Sequence, residues 1–301
     1  MKPGTLQHKE LFCSTFIKTH EVYEPSEIAW PVLEDVYLQR LRAIPFWGTA
    51  RAVESRAGIM VDEFARTIED PVIREAMQVQ AAEEARHARL MQVLIERYDI
   101  PAKDVTVDHR GSSRDEFVVF GYEECLDSFL GFGLFALGRK LQFFPSEFLA
   151  IFDRVLLEEA RHVTFFVNWI RYEEAREGRD HPLVRLRAAL TNYGRALRKM
   201  IDSFAGDARA TGFVAAGADS VVSGVTPAQF LEAALVENRR YMAKLDARLI
   251  KPAILPTVAT ALLLGLRALP PRDPSSTAGA PSTAGAAANG APPMAPVLQR
   301  A

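Results

Sequence analysis

The chain has 301 residues, 49% hydrophobic and 25% charged, with a formal net charge of −2. That balance fits an ordinary globular protein with room for one large or two modest domains, and it lacks the bulk positive charge that nucleic-acid binding relies on. Two cysteines, Cys13 and Cys125, are too few for a disulfide framework and are not spaced as a CxxC pair, so a reducing cytoplasmic setting is expected. The N-terminal MKPGTLQHKE has no apolar signal core.

The pattern along the chain is helical, and no segment shows the sustained period-two alternation of a half-buried strand. Residues 1–45 read as an N-terminal extension with a short helix around 31–43. From Trp47 the spacing predicts a helix that stops at Asp70-Pro71, where a new helix starts. Ile100-Pro101 and the stretch from His109 to Ser113 mark a longer connection. Phe144-Pro145-Ser146 is a second tight break, with Ser146 expected as the N-cap of the helix that follows. Glu177 to Pro182 closes this part, so residues 46–177 form two helical hairpins, as in a four-helix bundle. Residues 178–269 add accessory helices over 182–206 and 226–250 and an apolar run over 254–269. That run is expected to pack on the protein's own core or on a homodimer partner, with an in-plane membrane contact as the alternative. Residues 270–301 are so rich in Pro, Ala, Gly, Ser and Thr that they are expected to be disordered.

Helical spacing decides where the polar residues sit. The first bundle helix carries Trp47, Ala50, Glu54, Ala57, Val61 and Phe64 on one stripe. The second carries Ile73, Met77, Gln80, Glu84, His87, Met91 and Leu94, and the fourth carries Phe148, Phe152, Val155, Glu159, His162, Phe166 and Trp169. Each stripe is a core face interrupted by an acid, or by an acid and a histidine one turn on. A carboxylate buried alone is costly, so three such interruptions at mid-length call for a shared cause. A metal centre supplies one, because Glu and His at i and i+3 reach the same side of an ion. Glu54 and Glu84 are equidistant from residue 69, beside the Asp70-Pro71 break, as facing residues of an antiparallel hairpin must be. On the third helix the candidates are Glu123, Glu124 and Asp127. Glu124 shares a stripe poor in bulk with Gly121, Ser128, Gly131 and Gly138, which favours it as ligand with Asp127 in support. The remaining histidines, His8, His20, His109 and His181, lie off these stripes and are expected at the surface.

Five residues, Glu-Glu-Ala-Arg-His, occur at 83–87 and again at 158–162. With Glu54 and Glu124 they resemble the Glu, ExxH, Glu, ExxH pattern of the ferritin-like di-iron carboxylate superfamily. The wording is similar to the [DE]-E-x-R-H signature of multicomponent monooxygenase hydroxylases and acyl-carrier-protein desaturases. The resemblance covers about residues 46–177 and implies an all-α fold: a ferritin-like four-helix bundle of two antiparallel hairpins with additional N- and C-terminal helices. It implies Glu54, Glu84, His87, Glu124, Glu159 and His162 as ligands of two Fe ions, or of Mn with Fe. It implies Glu83, Arg86, Glu158 and Arg161 as their support, joined by Asp127 on the reading of the third helix. The chain is much shorter than a monooxygenase large subunit and lacks rubredoxin-type cysteines. Val155 stands where arylamine N-oxygenases carry an extra histidine ligand.

Such a centre implies an O2-dependent oxidase or oxygenase: hydroxylation, N-oxygenation, desaturation or oxidative cleavage of a small, apolar or aromatic substrate. Phe129, Phe132, Phe135 and Phe166 are the expected lining of its cavity. The electrons would come from an external donor such as a ferredoxin or reductase, for which the basic stretch Arg185, Arg187, Arg195, Arg198 and Lys199 is a candidate dock. The competing classes are a ferroxidase or peroxide-scavenging iron protein, and a helical scaffold in which the motifs are only buried ion pairs.

Overall fold

Asp70 shows how local chemistry sets the element boundaries. Its carboxylate accepts from the backbone of Val72 and Ile73, and Pro71 occupies the first helical position, where no N–H is needed. A reciprocal form, the capping box, opens a helix at Ser113 with Glu116 and another at Thr226 with Gln229. The computed structural model describes residues 2–105, 112–205 and 224–268, the side chains of 202–205 excepted. Among these residues all regular structure is helical.

Nine α-helices are described: α1 Leu6–Lys18, α2 Asp35–Ala43, α3 Trp47–Thr67, α4 Pro71–Arg97, α5 Arg114–Lys140, α6 Ser146–Arg176, α7 Pro182–Ala205, α8 Pro227–Ala243 and α9 Ile254–Ala268. The break before α6 differs in detail from its expectation. Pro145 is the N-cap and Ser146 is already helical, with its hydroxyl on the Glu147 carboxylate. Pro145 fixes the extended backbone that starts the helix and leaves no side-chain cap to provide. Helix α1 was not expected, and it packs on both α4 and α6. His109 and the tail from residue 270 lie outside the described residues.

Helices α3 and α4 form one hairpin and α5 and α6 the other, with further contacts from α3 to α5 and from α4 to α6. Gly58 lets α3 approach α4: a Cβ there would sit 3.1 Å from the Ala81 carbonyl oxygen and the Ala85 nitrogen. The apolar core divides into two clusters along these helices. One holds Val61, Phe64, Met77, Phe117, Phe165 and Trp169. The other holds Trp47, Leu90, Met91, Leu94, Phe148 and Phe152. On α3 and α4, Glu54, Glu84 and His87 fall between the two clusters in sequence, and on α6 Glu159 lies one turn past the changeover at Val155 and Leu156, so a polar layer interrupts an otherwise apolar interior.

Helices α7 and α8 pack on α5. Arg139 ties α5 to α6 and α8 through Asp153, 2.7 Å away, and Glu237, while Tyr241 donates to the same Asp153 at 2.8 Å. Helix α9 buries Ala259 and Leu263 against Phe129, Ala234 and Leu235, and exposes Val258, Leu262 and Leu264. No described helix is long and apolar enough to cross a membrane.

Candidate metal centre

The polar layer is built from two copies of one motif that serve each other. Helix α4 presents Glu83, Glu84, Arg86 and His87 inward, all buried, and α6 presents Glu158, Arg161 and His162. His87 Nε2 donates to Glu158 Oε2 at 2.8 Å, and His162 Nε2 donates to Glu83 Oε2 at 2.8 Å. Arg86 donates to Glu158 at 2.6 Å, and Arg161 to Glu83 at 2.7 Å. Each histidine is therefore held by the acid, and each acid by the arginine, of the other helix. This fixes both rings with Nδ1 facing the interior, because the tautomer follows the bond made by the other nitrogen.

The two Nδ1 atoms face the same carboxylates. His87 Nδ1 lies 3.1 Å from Glu159, 3.5 Å from Glu54 and 3.7 Å from Glu84. His162 Nδ1 lies 3.1 Å from Glu84 and 3.5 Å from Glu159. One atom from each of Glu54, Glu84, His87 and Glu159 lies within 4.8 Å of the others. The buried side-chain atoms without a hydrogen-bond partner include Nδ1 of both histidines and Oε2 of both Glu84 and Glu159. Buried polar atoms are usually paired, so orphan atoms on both imidazoles and on the two carboxylates that face both of them fit bound cations.

Electrostatics agree. Burial raises the Glu54 carboxyl to about 8, against the lowering influence of His87. Burial, then the charges of Glu159, Glu84 and Glu54, push Glu124 well above the usual carboxylate range. Both imidazoles lose charge stability to burial, yet the surrounding carboxylates hold them well above the ordinary histidine value. Glu83 is also penalised by burial, but His162 and Arg161 more than compensate and hold it low. The outer pairs are thus neutral within themselves, and the inner acids compete for the protons of two imidazoles. Two divalent ions would balance Glu54, Glu84, Glu124 and Glu159, and carboxylate and imidazole donors suit iron or manganese.

The third helix places its three acids differently. Glu123 points to α7 and pairs with Lys199 at 2.8 Å. Glu124 faces Glu159, whose negative charge adds to the effect of burial on it. Asp127 stands beside it, raised to about 7 by burial and then by Glu123 and Glu159. Glu124 and Asp127 line a cavity of about 50 Å³ with Glu54, Glu159, Gly131 and Phe135. A second cavity of about 40 Å³ shares Phe135 and Phe152 with the first and is otherwise apolar. A Cβ on Gly131 or Gly138 would meet nothing within 4 Å, so the low bulk of this α5 face does leave space.

Of the four phenylalanines expected to line that space, Phe135 does so. Phe129 packs with α8 and α9, and Phe132 stacks on Tyr241 at 4.9 Å. Phe166 covers Gly121, where a Cβ would come within 2.2 Å of its ring. Two histidines expected at the surface are not there. His8 is buried and bonded to Asn168 at 3.1 Å, and half-buried His20 donates to Glu83 at 2.6 Å. Three supporting residues lay outside the sequence reading: His20, Tyr23, whose hydroxyl donates to Glu158 at 3.4 Å, and Gln80, which donates to Glu84 at 3.1 Å. Gln80 sits on the same stripe one turn before Glu84, which was the available signal. Cys125 is no ligand: its thiol faces Tyr193, and burial pushes it up to about 12.

Comparison with protein-family models, curated protein sequences and solved structures gave no match. The side-chain geometry therefore carries the functional reading.

Proposed function

We propose that the polar layer is a two-metal carboxylate centre in a ferritin-like four-helix bundle, and that the protein is an O2-dependent di-iron, or manganese–iron, oxidase or oxygenase. One observation carries it: both EEARH copies turn an unpartnered Nδ1 and an unpartnered carboxylate oxygen into the same buried layer, with rings fixed by the opposite helix. Glu54 and His87 would hold one ion, and Glu124 and His162 the other. Glu84 and Glu159 each face both imidazoles and would help hold the pair. When bound, the metal pair supplies two electrons to O2 from positions the protein leaves open.

The chain's own residues do the rest. Glu83 and Glu158 orient the imidazoles and raise their basicity. Arg86 and Arg161 pair with those acids within the apolar interior. The clusters on either side exclude bulk water. Asp127, raised to about 7 and lining the cavity, is placed to hold or release a proton there. The approach for a small apolar substrate would pass Phe135 and Phe152. An external donor remains part of the proposal, but Arg185, Arg195 and Lys199 of the basic stretch are paired with Glu174, Asp115 and Glu123.

The second reading, a ferroxidase or peroxide scavenger, is favoured by cavity size. About 50 Å³ holds one or two water-sized molecules and is short of an aromatic ring. O2 uptake by the reduced, iron-loaded protein separates the two. Uptake that rises with an added aromatic or alkyl substrate, with product formed, supports the oxygenase. Uptake that stops after one turnover of the bound iron, whatever is added, supports the ferroxidase.

A further inference from the structure

A larger cavity, about 420 Å³, lies on the opposite side of the centre, between α1, α6 and residues 244–249 after α8. On α6 it is reached by Leu157, Arg161 and Thr164, whereas the carboxylate cavity is reached by Phe152, Val155 and Glu159. At 100° per residue these sets lie on opposite faces of the helix. The cavity is of the size that takes a small organic molecule.

Its lining has two parts. Phe12, Phe16, Phe165, Leu157, Leu245 and Leu249 give an apolar interior. Lys18 and Lys244 stand exposed at the rim, and neither has an ion-pair partner among the described residues. Lys244 rests 4.9 Å from the centre of the Tyr241 ring, which holds its ammonium near the opening. The other charged groups are already committed, apart from the exposed Glu21. Arg161 donates to Glu83, Thr19 and the Phe16 carbonyl, and the Asp246 carboxylate is held by Arg248.

We infer that this cavity is a binding site for an amphiphilic carboxylate: an apolar chain or ring system held among the phenylalanines and leucines, with its anionic head between Lys18 and Lys244. The site shares Arg161 and His20 with the support of His162, but it does not need the metal centre to exist.

The test is calorimetry with decanoate, decanol and decylamine on the full-length protein, metal-free and iron-loaded, with chemical denaturation confirming that each variant folds. Decanoate is expected to bind saturably, one per chain, in both forms. Lys18→Gln with Lys244→Gln should weaken decanoate roughly tenfold and leave decanol unchanged, as expected for two charged contacts. Leu245→Trp, which places an indole in the cavity, should abolish binding of both. Non-saturable binding, decylamine binding as tightly as decanoate, or indifference to the lysine pair or to Leu245→Trp would overturn the proposal. Because the metal-free protein is included, failure of the metal centre and failure of this site are read separately.

Discussion

The copy of EEARH on α4 and the copy on α6 are identical in sequence and differ in what supports them. Glu83 receives three donors, Arg161, His162 and His20, at 2.6 to 2.8 Å. Glu158 receives Arg86 and His87 at 2.6 and 2.8 Å, and Tyr23 only at 3.4 Å. Arg161 is also anchored by Thr19 and the Phe16 carbonyl, bonds that Arg86 lacks; both guanidiniums lie over a ring, Arg161 4.5 Å from the centre of Phe16 and Arg86 4.2 Å from that of Tyr23. The difference comes from one strand of chain outside the motifs: α1 and the residues just after it pass over both acids but bond one of them more closely. A symmetric motif thus yields two unequally supported imidazoles, with the His162 side held more firmly than the His87 side.

The comparison can be broken most decisively at the arginines. Removing one partner of a buried ion pair costs about 3–5 kcal/mol, so Arg161→Met should lower the urea-unfolding free energy of the metal-free protein by that amount. Arg86→Met should cost about 1–2 kcal/mol less, since it loses two fewer hydrogen bonds. Equal losses would show that the asymmetry has no energetic content. A smaller effect is expected from the acids themselves. Glu83→Gln and Glu158→Gln should each weaken metal binding roughly 10- to 100-fold, as loss of a histidine's supporting carboxylate does. Competition with a chelator measures this, and an unchanged affinity would remove both residues from the centre. Smaller still, His20→Ala should lower stability by about 1–2 kcal/mol, losing one hydrogen bond to a buried carboxylate. Tyr23→Phe should cost under about 0.5 kcal/mol, as its 3.4 Å contact is long for a hydroxyl donor. If Tyr23→Phe is the more damaging, the ranking of the two sides is reversed.

Much of the inner layer was legible because helical spacing alone places it. Glu54, Glu84, His87, Glu159 and His162 sit at the same depth on three apolar stripes, and the structure brings them together. Two features were not legible. That Glu83 serves His162 rather than its own neighbour depends on how α4 and α6 cross, which no local pattern encodes. Phe129 and Phe132 of α5 were misread because their surroundings come from elsewhere in the chain. Phe129 and Phe132 lie on a face that α8 and α9 cover, roughly a hundred residues downstream. Helix α1 did carry a signal, Phe12 and Phe16 one turn apart, but 13 residues with polar interruptions give a weak one.

The most direct test is anaerobic titration of the metal-free protein with Fe(II), read by bound iron per chain, for the wild type and for Glu159→Ala. The wild type should bind two ions. Glu159→Ala, which removes a carboxylate facing both imidazoles, should bind fewer than one with the fold intact. Wild-type protein that binds no iron, or a variant that still binds two, would contradict the proposed centre.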